Sequence, residues 1–200
     1  MLVLTFVGPE LLLLLGIVPV NLRHALLFGV SLTVMYVVMR IWRIRWSEVG
    51  LVWKWEEFVP IAIQTVGATI VVYGILGLLV PIVTGDPRPI ITTPSRYLIL
   101  AVGVFFQELL CRGFAIYLLN RLNLSDWLLV WGSAAIYGFT HLHYYSVIVV
   151  AVTFAMGVLW GAHYVRFRTI VGVTLAHLVT AAIFLAHGYL EFREAWGIGW

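Results

Sequence analysis

A small set of polar side chains interrupts the apolar runs of this chain: Gln107, Glu108, Arg112, His141 and His177. An ionisable group in hydrocarbon is costly unless it is paired, so each is a candidate functional residue. Glu108 and Arg112 are four positions apart and share a helical face, as do Tyr137 and His141. His177 falls about 8 residues into its run, or about 12 Å along a helix, and Glu108 about 12 residues in from the opposite side. Both then lie near mid-depth, and three helices would present Glu108, His141 and His177 to one cavity. A carboxylate and an imidazole facing a water molecule are what general-base hydrolysis requires. The competing reading is a buried ion pair, Glu108 with Arg112, that only neutralises itself.

The elements that must position these groups follow from composition. Of 200 residues, 62% are hydrophobic and 10% charged, with mean hydropathy +1.03; a soluble domain is about 45–50% apolar and about 25% charged. Lipid is therefore the solvent for the outer faces, and continuous apolar runs in lipid must be helical because no backbone group can stay unpaired there. The expected fold is all-α, a polytopic bundle of about seven spans, at 3–20, 24–42, 59–83, 96–119, 127–143, 146–165 and 169–188. The whole chain, 1–200, reads as one integral membrane domain. The run at the N-terminus lacks a basic leader region and carries Glu10, so it reads as a retained helix rather than a signal segment. Arg43 to Phe58 mixes tryptophans with charges and reads as an interfacial segment. Thr84 to Ser95, with Pro87, Pro89 and Pro94, reads as a loop. Counting basic residues by side places Arg40, Arg43, Arg45, Lys54, Arg121, Arg166 and Arg168 with the N-terminus, which the positive-inside rule assigns to the cytoplasm. The expected location is a prokaryotic inner membrane.

Three segments carry a family pattern. Gln107-Glu108-Leu109-Leu110-Cys111-Arg112-Gly113 resembles a Glu-Glu-x-x-x-Arg-Gly motif with glutamine in first place. Tyr137 to His141 resembles Phe-x-x-x-His, and His177 to Ala181 resembles His-x-x-x-Asn without the asparagine. In order and spacing, over about 96–185, the chain resembles the CPBP family of CAAX prenyl endopeptidases and bacteriocin-processing or immunity proteins. That resemblance implies a metal-independent intramembrane endopeptidase. Its first glutamate and second-motif histidine activate water, and its third-motif histidine and asparagine stabilise the oxyanion. The implied catalytic set is Glu108, His141, His177, Arg112 and Gln107, with no cofactor and no metal. Two departures fall on the chemistry. Gln107 cannot take a proton as a carboxylate does, so Glu108 must serve as base if the chain hydrolyses peptides. Ala181 removes an oxyanion donor, a loss worth about 10²–10³ in rate, and Thr180 carries the hydroxyl that would stand in for it. Arg112 supplies Glu108 with a counter-charge in either case.

The remaining polar residues suggest other sites only weakly. Cys111, the single cysteine, reads as a small buried apolar residue. His24 and His163 fall near span ends, where polar tips reach water, and His143 points away from His141. Glu108, His141 and His177 are a chemically sensible two-histidine, one-carboxylate metal set, but the spacing has no metal signature; haem or pigment ligation by lone histidines is equally unsupported. Most Trp and Tyr read as interfacial belts. The net charge of +3 is ordinary for membrane loops, and no nucleic-acid partner is expected. Expected partners are the lipid bilayer, a prenylated or membrane-anchored peptide substrate, and partner membrane subunits. Two functions are in play: a CPBP-type protease, and an inactive relative serving as a binding or assembly subunit of a membrane complex.

Overall fold

Each apolar run of the sequence satisfies its own backbone by winding into a helix. The computed structural model describes residues 3–15, 23–84, 94–142 and 147–186, and among them there is no strand. A π-helical turn Val3–Val7 leads into α1 (Gly8–Leu14), followed by α2 (Arg23–Ile41) and α3 (Phe58–Thr84). Helix α4 (Pro94–Glu108) passes through a π-helical turn, Leu109–Phe114, into α5 (Ala115–Asn120) as one rod. Then come α6 (Asp126–Phe139), α7 (Val147–Phe167) and α8 (Val171–Ala186). With α4 and α5 counted as one rod, the described residues hold seven helices, the all-α architecture expected. Tyr97–Asn120 and Val147–Phe167 are each long and apolar enough to cross a membrane; Thr5–Leu14, Phe28–Ile41 and Val171–Ala186 are shorter apolar helices. The loop expected at Thr84 to Ser95 lies largely outside the described residues, as does His143.

The chain divides into two compact units. One comprises Met1–Lys54 and Phe106–Val173, the other Trp55–Phe105 and Thr174–Trp200. In the first, α6 and α7 lie backbone to backbone because their facing positions are small. A Cβ on Gly157 would stand 2.9 Å from the Ala134 Cα, and one on Gly161 3.3 Å from the Ser133 Oγ. Small residues let apolar helices approach closely where no water is available to drive them together. At one end of this unit α2 closes with the Ile44 amide donating to the Met39 carbonyl (2.9 Å) and Arg43 in the left-handed region at φ 54°. The chain from there to Lys54 is strapped to the end of α7. The Ile170 amide donates to Gly50 O (2.9 Å), Thr169 Oγ1 to Val52 O (2.7 Å) and Lys54 Nζ to Phe167 O (2.7 Å). Trp42, Trp46, Trp53 and Trp55 are exposed, as an interfacial segment requires. The Arg45 backbone N–H, then its side chain, donates to Glu48 and holds that carboxyl below its usual range, with the charges of Arg45 and Arg121 adding to the effect.

In the second unit, Val59, Ile63, Val66 and Ile70 make an exposed apolar stripe along α3 at helical spacing, a face suited to lipid. Thr69 Oγ1 lies 3.2 Å from Thr180 Oγ1.

Candidate active site

Glu108 closes α4, and Arg112 sits in the π-helical turn that follows it. Single π turns inside α-helices concentrate at functional sites. Here the turn is packed from outside by the strap: a Cβ on Gly113 would run into the Val49 carbonyl oxygen, so only glycine admits this approach. The Arg112 Nε stands 3.3 Å from Glu108 Oε2, and both side chains are fully buried. Above the guanidinium lies the Tyr137 ring, 4.1 Å from Cζ to the centroid, with Trp160 at 5.6 Å. Arg112 Nη1 and Nη2 have no hydrogen-bond partner among the described residues. They are charge-assisted donors in a buried setting.

The same Tyr137 positions the histidine. His141 packs edge-on against its ring, centroids 4.8 Å apart, and His141 Nδ1 lies 2.8 Å from the Tyr137 carbonyl oxygen. A carbonyl only accepts, so Nδ1–H is the donor here, and in a neutral ring the basic nitrogen is then Nε2. Thr140 Oγ1 donates to the same carbonyl (2.9 Å). Tyr137 thus joins the two motifs, one through its ring and the other through its backbone. The expected span 127–143 ends earlier than its hydropathy implied: α6 stops at Phe139, and His141 lies in the turn just beyond it.

Gln107 is half-buried on the last turn of α4, beside Glu108 in sequence. The first unit therefore brings together Glu108, Arg112, Tyr137 and His141. His177 belongs to the second unit, buried on α8. On that helix the hydroxyl expected to stand in for the missing asparagine is engaged within its own helix. Thr180 Oγ1 donates its proton to Ala176 O (2.9 Å), so toward Thr69 it acts only as acceptor. A hydroxyl has one proton, and none is left for an oxyanion.

Trp160 went unrecognised in the sequence. It is 2% exposed and touches both Arg112 and Tyr137, not a member of an interfacial belt. Its neighbour Gly161 was the available signal, since a small residue there brings α7 against α6. His163, expected to reach water near a span end, is buried and stacked on Phe167 at 4.5 Å. Glu10 is buried on α1 and Cys111 is buried in the π turn. No group of three or more His, Cys, Asp or Glu side chains able to hold a metal ion occurs among the described residues.

Apolar helices around a buried Glu–Arg pair and a carbonyl-oriented histidine define an all-helical protein with two helices long and apolar enough to cross a membrane. Residues 89–183, just under half of the chain, match the family described as type II CAAX prenyl endopeptidase Rce1-like, and the resemblance carried by the three motifs is shown over that stretch. No curated protein and no solved structure matches the chain.

Proposed function

We propose that this protein is an intramembrane endopeptidase of the CPBP type, acting on a prenylated or membrane-anchored peptide. The observation that carries the reading is the orientation of His141: with Nδ1–H given to the Tyr137 carbonyl, Nε2 is the basic nitrogen, one ring away from the Glu108–Arg112 pair. In the proposed reaction a water proton passes to His141 Nε2 or to Glu108. The hydroxide adds to the scissile carbonyl, and the proton is then given to the leaving amine as the C–N bond breaks. The role of His177 rests on its motif alone.

A second reading has specific support. Gln107 stands where the family places its base, and Glu108, the remaining carboxylate, is already engaged by Arg112. With Ala181 and a Thr180 hydroxyl whose proton is already spent, these features favour an inactive relative that binds or assembles with other membrane subunits. The deciding experiment is cleavage of a prenylated peptide by the purified chain in lipid, with His141→Ala as control. Cleavage by wild type that disappears in His141→Ala supports the protease. Absence of cleavage by wild type supports the second reading.

A further inference from the structure

The turns at one end of the first unit gather a charged surface that the hydrolytic site does not use. Arg40 and Arg166 lie in the last turns of α2 and α7, where a cation complements the helix dipole; Arg43, Arg45, Arg121 and Arg168 lie in the turns between helices. Arg40, Arg43, Arg45, Arg121, Arg166 and Arg168 are all exposed. Contacts tie these turns into one face. Arg121 lies over the Trp42 ring (5.8 Å), Arg168 faces Asp126 (3.6 Å), and the strap is bonded to the end of α7. Only Arg45 and Arg168 have carboxylate partners among the described residues, Glu48 and Asp126. Arg40, Arg43 and Arg166 have none there, and Arg121 shares the field of Glu48 without an ion pair.

We infer that this end of the first unit is a docking face for anionic phospholipid, its exposed guanidiniums taking headgroup phosphates while the surrounding tryptophans anchor at the same depth. Three observations support lipid as the occupant. Exposed Trp42, Trp46 and Trp127 border the arginines, and such rings settle at the headgroup level of a bilayer. Arg121 on Trp42 and Arg166 on Phe167 (5.2 Å) are held by ring contacts that leave the planar fork of N–H donors available for bidentate phosphate binding. Arg43 occupies left-handed backbone, φ 54°, where glycine is less strained; strained backbone of this kind concentrates at functional positions.

The test titrates the full-length protein in detergent with phosphatidylglycerol or phosphatidylcholine and reads lipid retention together with thermal unfolding. Phosphatidylglycerol should be retained at least about tenfold more strongly. Each arginine removed in Arg40→Gln/Arg166→Gln should reduce that retention about fivefold, the factor for one basic residue at an anionic surface. Arg45→Gln/Arg168→Gln, which removes already neutralised charges, should reduce it less. Arg43→Gly separates binding from folding: it relieves left-handed strain, so the unfolding temperature holds or rises while phosphatidylglycerol retention falls. Equal retention of the two lipids, equal losses from the paired and unpaired arginines, or tighter binding of a soluble polyglutamate peptide than of phosphatidylglycerol would each overturn the proposal.

Discussion

Arg112 and Glu108 form a fully buried ion pair, 3.3 Å from Nε to Oε2, roofed by the ring of Tyr137. Both charges are out of solvent, so removing one leaves the other buried without its ion-pair partner. Arg112→Leu should therefore lower stability in detergent by about 3–5 kcal/mol, the usual cost of breaking a buried pair from one side. Adding Glu108→Gln removes the stranded carboxylate and should recover much of that loss. The measurement is thermal or denaturant unfolding of wild type, the two single variants and the double variant. A double variant as unstable as Arg112→Leu alone would mean that the two residues are not energetic partners.

Gly113 supplies a second test, because its missing Cβ is what lets the strap reach the π turn. Gly113→Ala puts a methyl group into the Val49 carbonyl, and overpacking of this kind costs about 1–3 kcal/mol. On α2, a methyl group at Gly29 would have nothing within 4 Å, so Gly29→Ala should be neutral or stabilising by up to about 1 kcal/mol. Comparable unfolding temperatures for the two variants would show that the strap does not press on Gly113.

Much of the site was legible because its partners lie one helical turn apart. Glu108 with Arg112 and Tyr137 with His141 follow from 3.6-residue periodicity alone. The π turn did not follow, since hydropathy is blind to which carbonyl an amide reaches. Trp160 was hidden for a related reason: an aromatic in an apolar run looks the same whether it faces lipid or a guanidinium. Thr180 misled because a threonine inside a helix tends to spend its hydroxyl on the carbonyl one turn back, as it does here toward Ala176. Helix ends were displaced where the terminating signal was a turn, as at Phe139, rather than a change in hydropathy.

The topology read from the arginines predicts that single cysteines at Ser47 and Asp86 label from opposite sides of the membrane, Ser47 from the cytoplasm. Ser47 is exposed on the strap, and α3 separates the two positions. Native Cys111 is buried and should contribute little background. Labelling of both sites from one side would remove α3 as a span and with it the assignment of the N-terminus to the cytoplasm.

The choice between protease and inert subunit turns on which acid can still take a proton. Gln107 has no ionisable group, and Glu108 is held by Arg112, so a working base must come either from Glu108 despite its partner or from His141 through Nε2. Gln107→Glu restores the family's paired glutamates, and a positioned general base is worth about 10²–10⁴-fold. If wild type is a protease running on Glu108 and His141, Gln107→Glu should raise cleavage of a prenylated peptide and Glu108→Gln should abolish it. Glu108→Gln also strands Arg112, so its unfolding temperature and detergent gel-filtration profile must be recorded beside the rate. Loss of cleavage counts only in a variant that remains folded. Cleavage surviving in folded Glu108→Gln but lost in His141→Ala would reject Glu108 as the base and leave the histidine. No cleavage by wild type together with a gain in Gln107→Glu would identify a protease fold whose activity was lost at one position. No cleavage in any of the variants, with all of them folded, would reject the protease reading in favour of the binding subunit.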